Sequence, residues 1–233
     1  MHIFYTPDIL NFHELPHEEA QHCIRVLRLK EGDEILLTDG NGHFFKAIIT
    51  LASQKHCKVE ILETITQQLP WENQIHIALA PTKNMDRNEW FAEKATEIGV
   101  NQISFLNCKY SERKEIKPER IAKIMISAMK QSQKATLPIL QKIISFDQFI
   151  SQNFEGQKFI AHCYPEEKVS LSHAYKKGEN ALILIGPEGD FSNEEVEKAI
   201  KNGFQPISLG DSRLRTETAA LMACQTIHVI NLI

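Results

Sequence analysis

The stretch "SLGDSRLRTETAALMA", Ser208 to Ala223, places Arg213, Arg215, Thr216 and Glu217 close together, directly after a glycine-bearing turn. A guanidinium fork suits an RNA phosphate or a base carbonyl, and a carboxylate beside it can orient the fork or accept a proton. Thr216 as a helix N-cap and Glu217 as a first-turn acid would explain those two residues without a ligand. Two arginines ahead of the cap are harder to explain by packing. Upstream, "NALILIGPEGDFSNEEVEKAIKNGF", Asn180 to Phe204, runs an apolar strand into the loop "GPEGD". Gly186 and Gly189 bring bare backbone close to a ligand, Pro187 stiffens the turn, and Glu188 is its anionic side chain.

The helix after this loop decides what such a site could hold. Ser192-Asn193-Glu194-Glu195 spells a capping box, which starts the helix at Asn193, and Phe191 and Val196 stand at the positions of a hydrophobic staple. Its first amides are used by its own cap, and Asp190, Glu194, Glu195 and Glu197 crowd its positive end. A phosphate would be repelled there. The loop has no GxGxxG or GxxxxGK[ST] pattern, so a neutral or cationic ligand recognised by backbone groups is expected.

The elements around these loops follow from residue patterning. "DEILLTD", "HFFKAIITL" and "CKVEILETI" read as a meander of strands, preceded by "LPHEEAQHCIRVLRL" as a short helix running into a strand. "TQQLPWENQ", Thr66 to Gln74, reads as a linker. Strands and helices then alternate: "IHIALAP", the helix "MDRNEWFAEKATEIG", "QISFLNC", a helix from Pro118 to about Ala135, then "KFIAHC", "ALILIG" and "PISLG" as strands. The apolar segment "TETAALMACQTIHVINLI" closes the chain against the sheet or a partner subunit. The expected architecture is a β-rich module over residues 1–70 and an α/β domain with a mainly parallel sheet over 71–233.

Composition bounds the remaining classes. The chain has 233 residues, 42% hydrophobic and 24% charged, which is ordinary for a globular protein. The net charge of -4 argues against a uniformly basic nucleic-acid binder, yet residues 109–134 carry eight Lys or Arg against three Glu, a local +5. No apolar run approaches the roughly 20 residues needed to span a bilayer, and the start lacks a basic segment followed by an apolar core, so no membrane association and a cytoplasmic protein are expected. Five scattered cysteines without CxxC predict reduced thiols and, with the histidines spread along the chain, no metal. His162, beside Cys163 at a strand end, is the histidine with a buried or ligand-lining position.

"LIGPEGDFSNEEVEKAIKNGF" followed by "SLGDSRLRTETAALMA" closely resembles the knotted SPOUT methyltransferases, in the branch that methylates N3 of a uridine in 16S ribosomal RNA. "HCIRVLRLKEGDEILLTDGNG" resembles that family's PUA-like N-terminal barrel, "PTKNMDRNEWFAEKATEIGV" the opening of its catalytic domain, and "YSERKEIKPERIAKIMISAMKQS" its central basic segment. The resemblance implies a trefoil knot, a homodimer, and 16S rRNA of the small ribosomal subunit as substrate. It implies an S-adenosylmethionine pocket lined by Leu184, Gly186, Pro187, Glu188, Gly189, Leu209, Gly210 and Leu214, and His162 at its strand end is a further candidate for that lining. Arg215 would stabilise the developing uracil anion, with Glu217 orienting Arg215 or accepting the proton. RNA contacts are expected at Arg25, Arg28 and Lys30, and at Arg113, Lys114, Arg120 and Lys134.

Three positions depart from the family pattern, which commonly has glycine at Asp190, proline at Asp211 and arginine at Lys134. Altered loop geometry is expected at the first two, and loss of bidentate phosphate geometry at Lys134. Two other classes share parts of the residue pattern. A non-catalytic RNA-binding or ribosome-assembly protein would use the basic segment without needing both glycine loops. A phosphate-ligand enzyme of doubly wound fold would use the strand and helix alternation.

Overall fold

The computed structural model describes residues 2–53, 55–69, 71–165 and 167–233. Two compact units result, one from residues 1–69 with 126–137, the other from 70–125 with 138–233. In the first, β1 (Ile3–Tyr5), α1 (Ile9–Phe12), α2 (His17–Gln21), β2 (Glu34–Thr38), β3 (His43–Ala52) and β4 (Cys57–Thr66) form a four-stranded mixed sheet in sequence order with short helices. Burial alternates along β3, so Phe45, Ala47 and Ile49 enter a core with Phe4, Ile35, Leu37 and Val59. After α2 the chain makes a π-helical turn, His22–Val26, closed by Leu27 N–H donating to His22 O at 3.1 Å. The strand expected there does not form: Arg28 is left-handed at φ 57°, which no extended run tolerates.

The second unit contains β5 (Ile75–Leu79), α3 (Met85–Ile98), β6 (Gln102–Asn107), α4 (Pro118–Gln131, whose last residues belong to the first unit), β7 (Ile139–Leu140) and β8 (Ile144–Ser145). There follow α5 (Phe146–Ile150), β9 (Gln157–Ala161), β10 (Val169–Ser170), α6 (Leu171–Ala174), β11 (Ala181–Ile185), α7 (Asn193–Lys201), β12 (Gln205–Ser208) and α8 (Thr216–Leu232). The sheet order is β10-β12-β9-β11-β5-β6-β7, with β8 also on β6, and every pair is parallel. Every residue of β5 and β11 is buried, as befits strands in the middle of a parallel sheet; β11 is apolar throughout and β5 is so but for His76.

Helix α7 has the limits read from its residues. Ser192 Oγ accepts from Glu195 N–H at 3.3 Å, and the Glu195 carboxylate accepts from Ser192 N–H at 2.8 Å. Phe191 is fully buried and Val196 nearly so, with the Phe191 ring 5.4 Å from that of Phe146. Burial of such a side chain contributes about 1.5–3 kcal/mol, so the staple also anchors the end of the preceding loop.

Candidate functional site

Because every strand of the sheet is parallel, the loops leaving β9, β11 and β12 emerge at one edge of it, and the order β12-β9-β11 makes them neighbours. The crevice beyond the carboxyl ends of parallel strands is where α/β folds hold ligands. Here it is a cavity of about 1080 Å³. Its walls are 161–165 with Lys168 after β9, 185–190 after β11, and 207–216 after β12, with Ala219 from α8. Lys168, Arg213 and Arg215 face it as cations, Glu188, Asp190 and Asp211 as anions.

Side chains tie these loops together. Thr216 Oγ1 donates to Gly186 O at 2.9 Å, joining the start of α8 to the loop after β11. Cys163 N–H donates to Asp190 Oδ2 at 2.7 Å, and Tyr164 OH donates to Phe191 O at 2.7 Å, joining the loop after β9 to the same segment. Glu188 Oε1 accepts from Lys83 N–H at 2.9 Å, so this acid is held by the turn after β5. A Cβ on Gly186 would stand 3.0 Å from Phe191 N and 3.2 Å from Asp190 C, so any side chain there would press on the loop's own returning backbone.

The electrostatics disfavour an anionic guest at α7. Glu195 is buried and saturated, accepting from Ser192 N–H and Oγ–H and from Lys109 N–H at 2.8 Å, while Glu194 pairs with Lys109 Nζ at 3.1 Å. The positive end of the helix is thus already answered by its own acids. On the wall after β9, burial and the nearby Asp190 charge raise the Cys163 thiol above its ordinary range and keep it neutral.

Gly186, Pro187, Glu188, Gly189, Leu209, Gly210, Leu214, His162 and Arg215 all line this one cavity. Leu184 does not: it is fully buried within β11 and packs in the core with Ile160, Leu182 and Val196. His162 is buried, its ring 5.5 Å from that of Tyr164. Arg215, not Thr216, is the N-cap of α8, which leaves the Thr216 hydroxyl for Gly186. Glu217 is off the cavity wall, buried, with Oε1 3.6 Å from Arg87 Nε of α3.

Residues 69–228 match the model of an RNA methyltransferase domain, and residues 15–62 that of an RNA methyltransferase PUA domain. The chain belongs to the RNA methyltransferase family. It is 30% identical over 221 residues to Ribosomal RNA small subunit methyltransferase E of Synechocystis sp., covering 91% of this chain and 71% of that protein. A probable rRNA-methyltransferase of Porphyromonas gingivalis has the same fold at TM-score 0.95 and 46% identity, over 100% of this chain and 99% of the other. Ribosomal RNA small subunit methyltransferase E of Neisseria gonorrhoeae, solved bound to S-adenosyl methionine, superposes with TM-score 0.86 at 28% identity, over 98% and 97% of the two chains.

The cations expected on the RNA face of this RNA methyltransferase divide by what they already hold. In the first unit Arg25, Arg28 and Lys30 are exposed, Arg25 on the π-helical turn. Lys134 is half-buried just beyond α4. In the second unit Lys114 is exposed, but Arg113 Nε and Nη2 donate to the carbonyls of Thr82 and Lys83, at 3.2 Å for Thr82 and 2.6 Å at the closest for Lys83. Arg120 is exposed and bound by Glu89, Nη2 to Oε2 at 2.9 Å.

Sequence reasoning passed over several residues of consequence. "HELPH", His13 to His17, has the spelling of a helical zinc motif, HExxH, which the reading of scattered histidines overlooked. It does not form one helical turn. His13 is the left-handed end of α1 at φ 51°, Pro16 is extended, and α2 begins only at His17. Among the described residues no cluster of three or more His, Cys, Asp or Glu could hold a metal ion. Arg87 and Cys163 carried no motif, and Asp190 stood out only as a departure from the family pattern.

Proposed function

We propose that this chain transfers the methyl group of S-adenosylmethionine to N3 of a uridine in 16S rRNA of the small ribosomal subunit. The observation that carries the reading is the single cavity made by the three loops after β9, β11 and β12, in a chain whose two family matches span both units. The residues fit the cofactor. The volume of about 1080 Å³ suffices for a nucleoside-sized molecule, Gly189 exposes backbone, and Glu188, Asp190 and Asp211 on the wall offset Lys168, Arg213 and Arg215, so the cavity is no purely cationic phosphate cradle. Gly186, Pro187, Gly189, Leu209, Gly210 and Leu214 would hold it. When bound it supplies an electrophilic methyl on a positively charged sulfur.

Uracil N3 carries a proton at neutral pH, so the chain must favour its loss and align N3 with the cavity. Arg215 faces the cavity, exposed, and makes no ion pair with the described residues, which leaves its guanidinium for the charge developing on a uracil carbonyl oxygen. Glu217 lies off the wall with its carboxylate beside Arg87 rather than Arg215, which supports neither the orienting of Arg215 nor the taking of the proton. Arg25, Arg28, Lys30, Lys114, Arg120 and Lys134 belong to the RNA contact in this reading, and the cytoplasm is where the substrate lies. Arg113 contributes chiefly by fixing the turn at Thr82 and Lys83.

The trefoil knot of the SPOUT class and a homodimer are part of the same proposal. For the dimer the support is apolar surface: Trp90 on α3 and Met222, Val229 and Leu232 on α8 are 42–65% exposed.

The test is transfer of labelled methyl from S-adenosylmethionine to small subunits that lack the modification, followed by mapping of the nucleotide. Label at N3 of one uridine is expected. Label on another base would overturn the uridine assignment, and absence of cofactor binding would favour a non-catalytic RNA-binding protein.

A further inference from the structure

We infer that Asp190 is a positioning residue of the cofactor cavity, clamping the wall after β9 onto the wall after β11. The inference rests on the reading of this cavity as the S-adenosylmethionine pocket. Asp190 is left-handed at φ 66°, a conformation that costs an L-residue energy and that glycine takes freely. Its side chain accounts for its place there. Oδ1 accepts from the adjacent Phe191 N–H at 2.8 Å, and Oδ2 reaches 27 positions back to accept from Cys163 N–H at 2.7 Å. Both are charge-assisted hydrogen bonds at good length.

Cys163 lines the cavity, so the ligation of its amide bears on that wall. Held by Asp190, this N–H is not offered to a ligand, and the orientation of the Cys163 peptide unit is set before anything binds. Tyr164 OH on Phe191 O ties the next residue to the same segment. The tyrosine bond can hold the two loops near each other, but only the carboxylate fixes the peptide that faces the cavity. Preorganisation of this kind lowers the ordering cost of binding, so its loss should appear in affinity more than in fold.

The experiment compares Asp190→Gly and Asp190→Asn with the wild-type full chain. It measures S-adenosylmethionine affinity by calorimetry, the thermal midpoint without ligand, and KM for the cofactor against kcat. Glycine takes φ 66° without strain, which offsets part of the two lost bonds, so D190G should lose no more than a few degrees of midpoint while binding the cofactor about tenfold more weakly. In both variants KM should rise with kcat nearly retained. D190N supplies one acceptor for two N–H groups and should fall between wild type and D190G, which also decides the matter if D190G folds poorly. Wild-type affinity in either folded variant would overturn the clamp. A wild-type chain that binds no S-adenosylmethionine would overturn the pocket reading itself, a result separate from failure of the clamp.

Discussion

Thr216→Val is the sharpest test of how the cavity is held. Valine has nearly the shape of threonine, and Thr216 is 5% exposed, so the change replaces one buried donor by a methyl group of similar size. The lost bond is Thr216 Oγ1 to Gly186 O, 2.9 Å long and buried. A buried carbonyl left without its partner costs about 1–3 kcal/mol. For a chain of this size that is a fall of roughly 2–12 °C in thermal midpoint, at about 2–4 °C per kcal/mol. The freed carbonyl belongs to a cavity-lining glycine, so S-adenosylmethionine affinity should fall as well. Thr216→Ser, which keeps the hydroxyl, is the control for the missing methyl group. Differential scanning calorimetry with and without cofactor gives both readouts. A T216V chain that melts with wild type, or a T216S chain that falls as far as T216V, would show that the hydroxyl does not join the loops.

Three further outcomes are expected. His76 on β5 is buried with its pKa lowered to about 4 by burial, against about 6.5 unfolded, so the unfolded chain takes the proton first. Its contribution is therefore intact above about pH 6.5 and is lost as pH falls toward 4, by about 3 kcal/mol in all; denaturant unfolding of wild type and His76→Gln across that range should give a flatter profile for the variant, and equal slopes would refute the assignment. Arg113→Ala should lower stability by about 1 kcal/mol through the bonds it loses to the Thr82 and Lys83 carbonyls, the first of which keeps Asn88 Nδ2 as a donor, whereas Lys114→Ala should leave stability unchanged and reduce the salt slope of RNA affinity by about one charge; the reverse pattern in melting and titration experiments would exchange their roles. Arg215→Ala should slow methyl transfer about a hundredfold with cofactor affinity nearly unchanged, and a full rate in single-turnover assays would remove Arg215 from the chemistry.

The residues by themselves determined what depends on near neighbours in the chain. The limits of α7 follow from Ser192, Glu195, Phe191 and Val196, all within six positions, and their bonds form as the spelling requires. The apolar run Ala181 to Ile185 marked β11 as a strand, and it is buried throughout. Strands of two or three residues, β1, β7, β8 and β10, escaped because so few residues carry no alternation to read. The extension past Val26 failed for want of any signal that Arg28 turns left-handed.

What only tertiary structure decided is which distant residues meet. Strand order, set by parallel crossovers and absent from any local pattern, brings the loops after β9, β11 and β12 to one edge and so makes one cavity from three segments. It places residues 126–137 in the first unit, commits Arg113 to two carbonyls, and sets Glu217 beside Arg87. It also explains Asp190, which looked like a misplaced acid beside a glycine loop. Its partner amide at Cys163 lies 27 positions away, beyond the reach of any helix, turn or cap rule, and only the pairing of β9 with β11 brings the two together.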